Sequence, residues 1–190
     1  MATKGFKVYD ADGAIKFAGV GVTGPTGPTG ASSIGQLTNW TFVRKASDES
    51  LATTTGIQAD DELLFAVGAS ETWEFEFVVR YLGNSTGLFK CGLKFPTTPT
   101  TIAYNILGPY TDLALDGSSI NNGNLTTMGS FAADAVNGLT LGCTTVAACA
   151  VLKGFVINST NAGNVTLNWA QSVSNATNTT VKAGSYLVAR

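Results

Sequence analysis

Glu74 and Glu76, two residues apart, are the nearest approach to a catalytic pair in this sequence. On a strand they share a face, and glycoside hydrolysis asks for two carboxyl groups roughly 5 to 10 Å apart, one acting as acid and the other as base or nucleophile. Lys and Arg on adjoining strands would neutralise them, so the expectation is a charged outer face or a subunit contact. The acidic run Asp60-Asp61-Glu62 is read as a solvated turn rather than a metal site. Asp10-Ala-Asp12-Gly13 opens like a calcium loop but lacks the downstream acidic ligand of the twelve-residue pattern, which leaves a turn. The chain has no histidine, which removes Ser-His-Asp and Cys-His chemistry together with the commonest metal ligand. Cys91, Cys143 and Cys149 show no Cys-x-x-Cys spacing and little cationic company, so buried, unactivated thiols are expected. No catalytic residue, metal ligand or cofactor follows from these patterns, and the chain is not expected to be an enzyme.

Composition points the same way. Charged residues make up 13% of the 190-residue chain, against about 25% in ordinary globular domains. The polar surface is instead built from Thr, Ser, Asn and Gly, as suits a packed assembly component. A formal net charge of -2 gives no basic footprint for nucleic acid. The first ten residues carry no apolar signal region, and the apolar run 147–152 is far shorter than the roughly 20 residues of a spanning helix. Synthesis in the cytoplasm and no membrane partner are therefore expected.

The elements that would hold these side chains are strands. In Thr72 to Tyr81 the residues Trp73, Phe75, Phe77, Val79 and Tyr81 alternate with Glu74, Glu76, Val78 and Arg80, which predicts one face in a core. Phe89, Cys91, Leu93 and Phe95 alternate in the same way. Further strands are predicted at 40–44, 62–67, 101–106, 151–157, 165–171 and 185–189, with turns at Asn84-Ser-Thr-Gly87, Asn161-Ala-Gly163 and Lys182-Ala-Gly184. Trp73, Phe75, Phe77, Phe89, Phe155 and Trp169 are expected to build one aromatic core. Between Leu107 and Val146 the periodicity is weak, and Ala132-Ala-Asp-Ala-Val136 is compatible with a helical turn. The fold class expected is all-β: a jelly-roll β-sandwich head over residues 37–190, preceded by a short collagen-like segment and a small N-terminal β-hairpin arm.

The collagen-like segment occupies residues 19–36. Gly21, Gly24, Gly27 and Gly30 recur every third residue, with Pro25 and Pro28 directly after a glycine. Three polyproline-type chains wind so closely that only glycine fits on the axis, which forces this spacing. The competing reading is a flexible linker. So short a run needs a trimeric domain to clamp it, and a homotrimer is expected. Before it, residues 1–18 read as a hairpin arm in which Phe6, Val8 and Tyr9 face Ile15 and Phe17 across Asp10–Gly13. An isolated hairpin is marginal in water, so the arm is expected to anchor on a partner.

A collagen-like segment before a jelly roll resembles the complement-head and tumour-necrosis-factor-like trimers. The closing strands, Val165-Thr-Leu-Asn-Trp-Ala-Gln171, then Ser174-Asn-Ala-Thr177, then 179–190 with Gly184-Ser-Tyr-Leu, are similar to those of bacteriophage virion proteins, namely head decoration proteins, head fibres and tail-fibre tips. That resemblance implies a structural protein on the capsid surface of a virion, made in the host cytoplasm and bound through its arm to the major capsid protein or another virion protein. The alternative it implies is a receptor-binding or adhesive tip for a host surface glycan. Only about 36 residues precede the head, short for a tail-fibre shaft and attachment domain, which favours decoration.

Overall fold

The computed structural model describes residues 8–9, 15–16, 40–109 and 138–190. The chain divides into two units, Met1–Gln36 and Leu37–Arg190. In the first, β1 (Val8–Tyr9) pairs antiparallel with β2 (Ile15–Lys16), in the register Val8↔Lys16 and Tyr9↔Ile15. The side chains of the proposed arm contacts, including Phe6 and Phe17, lie outside the described residues, as do Gly21, Gly24, Pro25, Gly27, Pro28 and Gly30 and the segment 132–136.

The second unit is a two-sheet β-sandwich. Its strands are β3 (Thr41–Arg44), β4 (Glu49–Leu51), β5 (Gln58–Val67), β6 (Thr72–Leu82), β7 (Phe89–Lys94), β8 (Thr101–Leu107), β9 (Leu139–Leu141), β10 (Ala148–Ile157), β11 (Gly163–Gln171), β12 (Thr179–Val181) and β13 (Tyr186–Ala189). One sheet has seven strands, with β3-β13-β6-β10-β8 in order and β12 and β4 continuing beside β6. The other has four, in the order β5-β11-β7-β9. All pairings are antiparallel, and they nest: β3 with β13, β4 with β12, β5 with β11, β6 with β10 and β7 with β9. From β4 to β12 each strand lies in the sheet opposite its predecessor. A long antiparallel ribbon rolled across two sheets in this manner is a jelly roll.

The core is the inner face of both sheets. Trp73, Phe75, Phe77, Val79 and Tyr81 of β6 are all buried, as the alternation requires, and they meet Leu63, Phe65 and Val67 of β5 and Phe89, Cys91 and Leu93 of β7. Phe65 packs its ring within 6.2 Å of Trp73, Phe75 and Phe77, and Tyr81 stacks on Phe89 at 4.1 Å. Trp169 is buried too, but Phe155 is not. Phe155 stands opposite Glu74, on the outer face, and is 38% exposed. The sequence 151–157 is apolar at nearly every position, so periodicity does not say which set points inward; Leu152 and Val156 do. Close approach of β10 to β8 depends on Gly154, where a Cβ would collide with the backbone of Ala103 and Tyr104.

Turn chemistry follows the sequence closely. Asn84 accepts at its side-chain oxygen from the amide of Thr86, and its carbonyl accepts from Leu88, which closes the β6–β7 turn. Gly184 has φ of 84°, a left-handed conformation that favours glycine, in the turn where Ser185 N–H donates to the Lys182 carbonyl.

Candidate functional site

Glu74 and Glu76 point outward from the middle of the seven-stranded sheet. Each is taken up by a cation of a neighbouring strand. Glu74 accepts from Arg190 at 2.6 and 2.9 Å, and the backbones of the two residues exchange hydrogen bonds. Glu76 pairs with Lys153 of β10 at 3.2 Å. The Arg190 guanidinium also lies over the Trp40 ring, 5.5 Å from its centroid. The charged outer face expected from sequence is present, with cations from β10 and the chain end.

The acidic run 60–62 is not a solvated turn. It sits at the start of β5, where the register against β11 shifts between Thr166 and Asn168, a bulge that frees ladder amides. Asp60 turns inward, is buried, and accepts the amides of Glu62 and Leu63 at 3.0 and 2.8 Å. A buried carboxylate needs a counter-ion. It comes from Lys45, itself buried, whose ammonium lies 3.1 Å from Asp60, 2.8 Å from Asp61, 2.9 Å from Glu49 and 3.6 Å from Glu62. The ligand oxygens of Glu49, Asp60 and Asp61 lie within 4.8 Å of one another, a spacing that could hold a metal ion. In this fold the Lys45 ammonium is the cation they enclose. Burial alone would push the Lys45 pKa down, but hydrogen bonds to Asp61, Glu49 and Asp60 outweigh it and hold the pKa well above its ordinary 10.5.

The acidic partners divide. Burial pushes Glu49 up. The Lys45 hydrogen bond holds Asp61 below the usual range, the Ala46 amide does the same for Glu62, Lys182 for Asp48 and the Trp73 indole for Glu71. For these four groups the folded pKa lies below the unfolded one. Their contribution is present above the ordinary carboxylate values and is lost as pH falls through the folded ones. Burial of Glu49 acts in the opposite sense and is relieved as that group protonates, so the four lowered groups dominate only in stronger acid, where a melting temperature that falls below about pH 4 is expected in a calorimetric pH series. A temperature that keeps rising below about pH 4 would contradict these contacts.

The three thiols also separate. Cys91 and Cys143 are buried, and burial pushes both up to about 12, so neither is poised as a nucleophile. Cys149, expected inside, is exposed: it is an outward position of β10, again because that strand is apolar on both sides.

What local spacing failed to flag is the outer face of the seven-stranded sheet. Tyr186, Val78 and Val151 form one cross-strand row, and Phe42 and Val188 lead the next. Beside them Phe42 is 65% and Trp40 51% exposed, with Phe155 and Ile157 also exposed. The Phe42 and Tyr186 rings lie 5.9 Å apart. A groove of about 720 Å³ crosses the face, lined among others by Trp40, Glu74, Phe155, Ile157, Val188 and Arg190. The signal available in sequence was the loss of alternation in 151–157 and 186–189. Among the described residues no helix is long and apolar enough to cross a membrane.

No protein-family model matches the chain, and no curated protein matches it. Among solved structures, one of infectious bursal disease virus, Gx strain, aligns over 79% of this chain and 38% of its own length, at 12% identity and a TM-score of 0.22. A score that low carries no argument about function.

Proposed function

We propose that this protein is a structural, non-enzymatic virion component: a homotrimeric decoration (cement) protein or head fibre of a bacteriophage, attached to the capsid by its N-terminal arm. The observation that carries this reading is the jelly-roll strand order of the described residues 40–109 and 138–190, which follow Gly21, Gly24, Gly27 and Gly30 in sequence. Three polyproline-type chains running together require glycine at this spacing, and a trimeric domain would clamp so short a run. The reading is supported further by the side chains most suited to chemistry. Glu74, Glu76 and Asp60 are engaged by cations, and two of three thiols are buried. Three arms per trimer would hold a shell by avidity, each bound arm raising the effective concentration of the others.

The test is attachment. Sedimentation equilibrium of the full-length protein should give a trimer at micromolar concentration. Deleting residues 1–18 should leave the trimer intact and abolish its binding to undecorated capsids. Undiminished binding through the head alone would overturn the anchor. The arm would then be a distal element, the arrangement expected of an adhesive tip that recognises a host surface glycan.

A further inference from the structure

We infer that the buried pair Lys45 and Asp60 is a reactant state: Nζ condenses slowly with the Asp60 carboxyl carbon into an intramolecular amide that ties one sheet to the other. Lys45 directly follows β3 of the seven-stranded sheet, and Asp60 lies on β5 of the four-stranded one. Both side chains are shut off from solvent, and Nζ stands 3.1 Å from Oδ1, one bond from the carbon it would attack. Reactants held this close in a dry site gain most from proximity. The two oxygens of Asp60 differ. Oδ1 accepts the amides of Glu62 and Leu63 at 3.0 and 2.8 Å, whereas Oδ2 is buried with no hydrogen-bond partner among the described residues. Two backbone donors fixed on one oxygen polarise the carbonyl and stabilise the negative charge that develops there during attack. In the product the same donors satisfy the amide carbonyl. Oδ2, whose burial without a partner is costly, is the oxygen that leaves.

Glu49 supplies the proton route. Its Oε2 lies 2.9 Å from Nζ, and a carboxylate oxygen of Glu49 lies within 4.8 Å of one of Asp60. Burial favours its protonated form, so it takes a proton from the ammonium and passes it to Oδ2. The freed lone pair forms the Nζ–Cγ bond, the Cγ–Oδ2 bond breaks, and Oδ2 departs as water with two of the three ammonium protons. The third stays on the amide nitrogen. An ammonium and a carboxylate thus become one neutral amide and one water, with no oxidant or co-reactant. Hydrogen bonds to Asp61, Glu49 and Asp60 hold Lys45 as the ammonium, so the reactive amine is rare and the freshly folded chain holds the ion pair. The other carboxylates are provided for once that cation is consumed. Asp61 is 69% exposed, Glu62 accepts the Ala46 and Ser47 amides, and Glu49 accepts from Gln58.

The test is intact-mass spectrometry of the full-length protein, incubated folded at pH 7 for weeks beside a sample kept unfolded in urea. The folded sample should become lighter by one water. Trypsin should then fail to cut after Lys45, and a protease that cuts after Glu49, between the two residues, should leave the Lys45 and Asp60 segments joined. Asp60→Asn gives a second signature, because asparagine keeps the same acceptor and expels ammonia instead: its aged product should match the aged wild type in mass. Glu49→Gln keeps an acceptor at Lys45 but carries no proton, and should show no loss over the same time. Loss at the wild-type rate in that variant would overturn the Glu49 step. A folded wild type that retains its full mass overturns the cross-link. So does equal loss in urea, or a water loss within residues 60–61 while trypsin still cuts after Lys45.

Discussion

Lys45→Met is expected to destabilise the sandwich by about 3 to 5 kcal/mol, the cost of leaving a buried charge without its partner. Methionine keeps the length and bulk of the side chain, so the loss isolates the ammonium. Without it, Asp60 would remain buried beside Glu49 and Asp61 with nothing to offset the repulsion. Chemical denaturation at pH 7 measures the change, and a shift under about 0.5 kcal/mol would mean the pair is a surface-like interaction of the ordinary kind. Asp60→Asn in the Lys45→Met background should recover part of the loss, because asparagine still accepts the Glu62 and Leu63 amides while removing the unpaired charge. The sign of the pH dependence follows from the raised pKa of Lys45. Its folded value lies above the unfolded 10.5, so the contribution is fully present below that value and is lost only as pH rises through the folded one. From neutrality to about pH 9 the deficit of Lys45→Met should therefore stay constant.

Phe77→Ala should cost as much, about 3 to 5 kcal/mol, by a different route. Phe77 is fully buried at the centre of β6, between Leu152 on β10 and Leu187 on β13 in register, and its ring meets Phe65 across the sandwich and Phe75 along the strand. Truncation removes the transfer free energy of the ring and leaves a cavity that three strands of one sheet cannot close by moving. Phe155→Ala, one strand away but outward, should cost far less, and chemical denaturation of the two variants side by side separates core from surface. Equal losses would mean that Phe155 is a core residue in solution, against the structure.

These contrasts mark where local pattern stops. Alternation placed β6 and β7 with the correct faces because each has a polar side to mark the outside: Glu74, Glu76 and Arg80 on β6, Lys90 and Lys94 on β7. It does not orient β10, where Val151, Leu152, Phe155, Val156 and Ile157 are apolar on both sides, and Phe155, expected in the core, stands outward for that reason. The short strands β4, β9 and β12 have three residues each, too few to carry a period. Asp60 shows the same limit in polar form. Three acidic residues in a row read as solvent-facing, and only the bulge opposite Thr166 to Asn168 turns one of them inward to a lysine fifteen residues earlier.

By itself the sequence determined the all-β class, the core face of β6 and β7, most of the turns and the glycine period, because each of these is written in side chains at most a few residues apart. Only the tertiary structure decided the nested pairing that joins β3 to β13, the burial of the Lys45 cluster and the uncovered aromatic face. Those depend on which strands become neighbours, and residues such as Phe42 and Val188, opposite one another across β3 and β13, are brought together by the roll of the ribbon rather than by any local spacing.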